Sequence, residues 1–510
     1  MKPVASTLFG AGLALLLSVA PAAHAEKNVT VAVSDNILGL DPTDLNDSVS
    51  LSATRLFYQG LFGFDKDFKV VPVLAERFEV NGNATEYTIH LKPNIKFQDG
   101  TAFNAQAVKV NYDRLRDPAN HLKRQSLLDA IERVDAVDDA TVRIILKNPS
   151  GVLPNYLAHT GASIISPKAL EQYGKDISRH PVGTGPFVFV AKQTDSLQAK
   201  RNPAYWRAGL PHLDGITIRS VPENGSRIAM LRSGEAQFIF PLPPESVELL
   251  AKDAKLMIEK TPSIVIHYVA LNTQKKPFDD PRVRQALNYA VDKDAFIKVV
   301  YNGYASPMDA PAAPGIAFYS KQGAWPYDPA KARKLLADAG YANGFDTDIW
   351  TFSNTLNVRA VQFLQQQLAA VGVRAAVTPI EAGVATSRLW GPKTPAEAQV
   401  RMFFGSWAPS TGDADWALRP LLSERSFPPA MFNVSYYRNE AVDAALTRGL
   451  STADPAVRKA AYDEVQKTVW QDAPWLFLSV DTLLSGRSKQ LTGLTQQPDT
   501  SLSYETADLQ

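Results

Sequence analysis

EYTIHLKPNIKFQDGT, residues 86–101, is a strand handed through a turn toward a helix, and its reading sets the class of the chain. Tyr87, Ile89 and Leu91 alternate with Glu86, Thr88 and His90, the two-residue period of a half-buried strand. Asp99-Gly100 supplies the turn, and residues 105–114 carry Val108, Val110 and Tyr112 as a helix. The same two periods recur outward in both directions. Strands are expected at residues 28–33, 141–146, 187–191, 215–221, 264–271 and 373–377. Helices are expected at residues 48–61, 281–291, 329–339, 359–371 and 455–470, with Asp454 as N-cap of the last and Pro at the first turn of several. There is no internal repeat. The mixture predicts an α/β protein whose sheets are covered by helices in more than one lobe. The Gly/Pro-rich run Pro181–Pro186 and the stretch Asn272–Asp280 are read as crossings between lobes.

The N-terminus addresses the chain. Lys2 precedes an apolar run from Leu8 to Ala20, and Ala23-His24-Ala25 offers the small-x-small pattern of a cleavage site. Such a run is too short to span a bilayer, which needs roughly 20 residues. Residues 1–25 therefore read as a cleaved signal peptide and the remainder as an exported, soluble protein.

Composition narrows the function. The formal charge is +1, and Lys2 leaves with the leader, so the exported chain is balanced and gives no support to nucleic-acid or membrane binding. The absence of Cys excludes thiolate metal sites, thiol nucleophiles and disulfides, leaving stability to the core. No Gly-x-Ser-x-Gly elbow is present, and the histidines are scattered, so a hydrolase is disfavoured and no protein-built metal site is expected.

Five segments then act jointly: residues 86–101, Val182–Phe187 (VGTGPF), Asn202–Trp206 (NPAYW) with Leu213-Asp214, Pro277–Ala290 (PFDDPRVRQALNYA) and Tyr327–Ala332 (YDPAKA). In this order they resemble the large extracellular solute-binding proteins of peptide and nickel ABC importers. Leu40-Asp41-Pro42, Phe57–Gly63, Asp117–Arg124, Gly234–Phe238, Val400–Phe403, Thr411–Leu418 and Glu505–Gln510 are similar to the glutathione-binding branch of that family. The resemblance implies a periplasmic binding protein fold, with two ligand-clamping lobes that close about a hinge and a third, accessory lobe. It places lobe I at about residues 26–60, 181–271 and 480–510, the accessory lobe at about 61–180, and lobe III at about 272–479. It further implies a monomeric periplasmic receptor, not an enzyme, without cofactor. Its ligand would be glutathione or a related small peptide, and its partners an inner-membrane permease with ATPase subunits. Di- or oligopeptides and haem-type cargo are the alternatives within the family.

Glutathione carries two carboxylates and one ammonium, and a closing cleft must give each charge a partner. The loop Gly405–Asp415 is the first candidate. Dipeptide-binding relatives carry a Trp and then an acid there; Trp407 matches the Trp, while Ser410 stands where the acid would be. That departure disfavours an ordinary α-amino dipeptide. Trp407 is either a stacking wall or a core residue. Thr411 belongs to the same loop, and Asp413 and Asp415 either meet the ammonium or cap the helix near Trp416. Arg401, in a stretch expected to enter the cleft, Arg359 and Arg55 are the carboxylate candidates. Asp47 and Tyr58 fall where relatives line the cleft, and Thr184 and Asn354 complete the set.

Overall fold

A computed structural model describes residues 26–510; the predicted signal peptide lies outside the described residues. An 11-stranded mixed sheet runs through the molecule. Ten of its strands are β1 (Asn28–Val33), β2 (Phe187–Lys192), β3 (Ser196–Arg201), β4 (Gly215–Ser220), β5 (Phe238–Phe240), β6 (Leu256–Leu271), β7 (Phe345–Phe352), β8 (Val373–Ile380), β9 (Met402–Trp407) and β10 (Trp475–Ser488). Their order is β8-β7-β9-β6-β10-β5-β1-β4-β3-β2, and Ala305–Pro307 pairs with β10 off this path.

β6 and β10 explain how one sheet serves two lobes. They pair antiparallel from Leu256–Ser488 to Ala270–Trp475, with a register break between Pro262 and Ile266. On one side of that break Leu256 and Leu484 pack in the core of the first lobe. On the other side Ile264, Ile266, Trp475 and Phe477 belong to the core of the second. The chain therefore crosses inside β6, about Pro262, rather than at Asn272–Asp280. That later stretch is a loop whose Asp280 caps the helix Pro281–Ala290. Proline lacks the N–H that a continuous ladder needs, and the register breaks directly after Pro262, which still lies opposite Thr482.

A separate four-stranded antiparallel sheet, Ala75–Val80, Glu86–Leu91, Thr141–Leu146 and Ile131–Asp138, is covered by the helix Ala105–Arg116. Its core runs from Leu61 to Ile164. Ile165, Ala169 and Ile177 pack instead into the first lobe, so this lobe ends some fifteen residues before the expected boundary at 180. It touches the second lobe where Asn155 Nδ2 donates to Thr411 O at 2.9 Å and Gly151 N donates to Leu450 O at 2.7 Å.

The helix expected over residues 48–61 stops at Thr54. Beyond it the backbone is claimed by the VGTGP run: Gly185 N donates to Phe57 O and Phe187 N to Leu56 O. A Cβ on Gly183 would lie 2.3 Å from Phe57 O, and one on Gly185 2.4 Å from Phe57 C. Only glycine permits this approach. Gln98 then ties the accessory lobe to the same run, donating from Nε2 to Phe187 O at 2.7 Å and accepting from Gly183 N. The motif is a structural junction.

Candidate functional site

Where the three lobes meet lies a cavity of about 500 Å³. One wall carries cations. Arg55, at the end of the helix Ser48–Thr54, donates from Nε to Thr160 Oγ1 at 3.0 Å, and its Nη2 stands 3.7 Å from Asp499 Oδ2. Arg124 donates from Nε to Leu45 O at 2.6 Å, and its terminal nitrogens have no partner among the described residues. Burial pulls its pKa below the ordinary arginine value while Asp47 pulls it up. Lys123 and the imidazole of His159 complete this wall. Burial, then Arg124 and Arg55, hold the pKa of His159 well below the ordinary histidine value, so the ring is neutral.

The facing wall is aromatic. Trp407, at the end of β9, donates from Nε1 to Trp416 O at 3.0 Å and lies 6.1 Å from the Trp416 ring and 5.5 Å from that of Phe432. Ser410, Ala408 and Met431 fill in around them. Asp499 is the one carboxylate among the described lining residues. A second compartment of about 300 Å³ adjoins the first and shares Arg55, Phe64 and Thr160 with it.

The predicted site residues divide sharply against this geometry. Trp407 and Ser410 line the cavity, as does Arg55. Tyr58 is buried and borders the second compartment, its hydroxyl pKa raised by burial. Thr411 is buried and holds Asn155 through its carbonyl. Asp413 and Asp415 are both buried and taken. Asp413 caps the helix Ala414–Leu422 and pairs with Arg458 at 2.8 Å; Asp415 pairs with Arg419 at 2.6 Å and accepts from Tyr462. Neither borders the cavity.

Arg401 sits just before β9, at the opposite end of that strand from Trp407, and donates to Lys276 O. At about 3.3 Å per residue the strand separates them by roughly 20 Å. Arg359 donates to Val300 O, and Asn354 caps the helix Thr355–Ala369. Asp47 caps the helix Ser48–Thr54 by accepting from Ser50 N at 2.7 Å. Thr184 donates to Gln59 Oε1 at 3.1 Å. Arg401, Arg359, Asn354, Asp47 and Thr184 thus have structural partners and stand outside the main cavity. Lys123, Arg124, His159, Trp416, Phe432 and Asp499 were not singled out from sequence. Adjacent cations in the Asp117–Arg124 segment were the one visible signal among them.

A sheet shared by two lobes, a third lobe docked on both, and a charged cavity between them define a solute-binding protein. The comparisons agree. The bacterial extracellular solute-binding proteins, family 5 Middle, match residues 69–428. The chain is 49% identical over 504 residues to the glutathione-binding protein GsiB of Pectobacterium atrosepticum, covering 98% of each. Among solved structures, HbpA2 from Haemophilus parasuis superposes with a TM-score of 0.85 at 26% identity, covering 95% of this chain and all of the other. The ABC transporter-associated periplasmic binding protein DppA from Helicobacter pylori, in complex with the peptide STSA, gives 0.78 at 28% identity, covering 94% and 98%. The chain belongs to the family 5 extracellular solute-binding proteins. Among its described residues no helix is long and apolar enough to cross a membrane.

Proposed function

We propose that this chain is the periplasmic receptor of an ABC importer for glutathione, handing its cargo as a monomer to a membrane permease driven by ATPase subunits. The observation that carries the reading is the charge inventory of the cavity, set beside the identity to GsiB. Arg55, Lys123 and Arg124 face a space bordered by one carboxylate, Asp499. Glutathione brings the complement, two carboxylates and one ammonium. Arginine forks suit the carboxylates, and desolvated pairs of this kind hold position as well as charge. Asp499 and the faces of Trp407 and Trp416 suit the ammonium. The flat aromatic wall suits the peptide planes.

The residues we assign to the ligand are Arg55, Arg124, His159, Trp407, Ser410 and Asp499. Calorimetry on the mature protein tests the reading. Reduced glutathione should give a one-to-one isotherm with a micromolar Kd, about −8 kcal/mol. A clear isotherm with ordinary dipeptides and none with glutathione would refute it.

A further inference from the structure

His159 makes contacts that fix the position of its ring proton. It lies in the short 3-10 turn region before Thr160–Ala162, and Gly161 N–H donates to Nδ1 at 2.9 Å. An Nδ1 that accepts cannot carry the proton of a neutral ring, so the proton is on Nε2. Nε2 makes no hydrogen bond among the described residues, and this 5% exposed residue lines the cavity. The ring has little freedom to turn over. A Cβ on Gly161 would lie 3.1 Å from Nδ1 and 2.8 Å from Arg124 Cγ, so the imidazole, the bare glycine and the Arg124 stem are packed together.

We infer that His159 is a specificity-determining residue of the ligand site: a fixed, neutral Nε2–H donor that, beside Arg124 and Arg55, reads a carboxylate oxygen of the cargo. This rests on the glutathione reading for the identity of that carboxylate, not for the direction of the N–H. Three groups of donor character from three chain segments converge here. A carboxylate is favoured and an ammonium is turned away, which sets which end of a zwitterionic peptide lies on this wall. The same tautomer bars His159 from ligating a metal, because its outward nitrogen has no free lone pair.

Two variants and one spectroscopic measurement test the inference on the mature protein. Asparagine is a good N-cap, so H159N keeps an acceptor for Gly161, while its shorter amide withdraws the donor from the position of Nε2. H159Q places an amide N–H further into the cavity. H159N should weaken reduced glutathione about ten- to hundred-fold by calorimetry, as loss of a hydrogen bond to a charged group does. H159Q should recover part of that loss. Long-range ¹H–¹⁵N spectra should show Nδ1 bare and Nε2 protonated, with the Nε2 resonance moving when glutathione is added.

Glutathione binding to H159N at wild-type strength, or a proton on Nδ1, would overturn the inference while leaving the cargo reading intact. If glutathione fails to bind the wild-type protein, it is the cargo reading that falls. Acetate then serves as the carboxylate probe: a shift at Nε2 still supports the role of His159, and no shift overturns it.

Discussion

The two walls of the cavity use charge in opposite ways. On the side of the second lobe, Asp413 and Asp415 are buried and closed off by Arg458 and Arg419, and the surface offered to a ligand is the rings of Trp407, Trp416 and Phe432. On the other side, Arg124 and His159 use one nitrogen each on the protein, and Arg55 holds Thr160 through Nε and stands 3.7 Å from Asp499 through Nη2, so each keeps further donor capacity toward the cavity. A charge serves a ligand when its partners are too few, and serves the fold when they are complete. The charged residue type alone does not tell the two apart.

The largest effect should come from breaking the satisfied wall. Asp413 Oδ1 accepts from Arg458 and from Asp415 N, and Arg458 is held further by Gly449 O and the ring of Phe318. Asp413→Ala strands a buried guanidinium and removes a helix cap, an expected cost of about 3–5 kcal/mol in urea denaturation. If stability hardly moves and glutathione affinity collapses instead, the contrast between the walls is wrong and Asp413 is a ligand residue.

Next is the unsatisfied wall. Arg124→Ala should weaken glutathione by roughly thirty-fold or more, since a desolvated ligand charge would lose its partner. Lys123→Ala, at a side chain 51% exposed, should stay within about three-fold because solvent screens it. Equal losses for the two would show that net charge, not the desolvated guanidinium, governs binding.

What the sequence made legible follows from the range of the forces involved. The strands Asn28–Val33, Glu86–Leu91 and Thr141–Leu146 lie where the alternation put them, and Asp454 caps its helix. Those signals are local. Residues 55–61 show helical periodicity but are drawn into pairing with residues 185–187 over a hundred positions away, which no local window contains. The site has the same difficulty on a larger scale, since its lining comes from around residues 46–55, 123–126, 159–160, 407–416, 430–432 and 499–501. Trp407 was legible because a loop motif marked it. Asp415 stayed open between ligand and cap, although Arg419, four residues on along one helix face, was a local sign of the structural pair it forms. His159 carried no local mark: its neighbours Arg124 and Arg55 arrive from other segments.

The smallest expected effect is also the one that reads the basic wall without a ligand. Burial of the ring, and then Arg124 and Arg55, hold the folded-state pKa of His159 well below its unfolded value of about 6.5. Between those two values the unfolded chain binds a proton that the native ring refuses, so stability rises with pH there and is lost on acidification below about 6.5. The slope from this one group cannot exceed ~1.4 kcal/mol per pH unit, and it vanishes above that range. Urea denaturation of wild type and H159N between about pH 5 and 7.5 isolates it, because the carboxylates common to both cancel in the difference. Parallel pH profiles would mean that the ring is not held neutral. Saturating glutathione should make the wild-type slope shallower, because a carboxylate against Nε2 raises the ring's pKa and reverses part of what the two arginines impose.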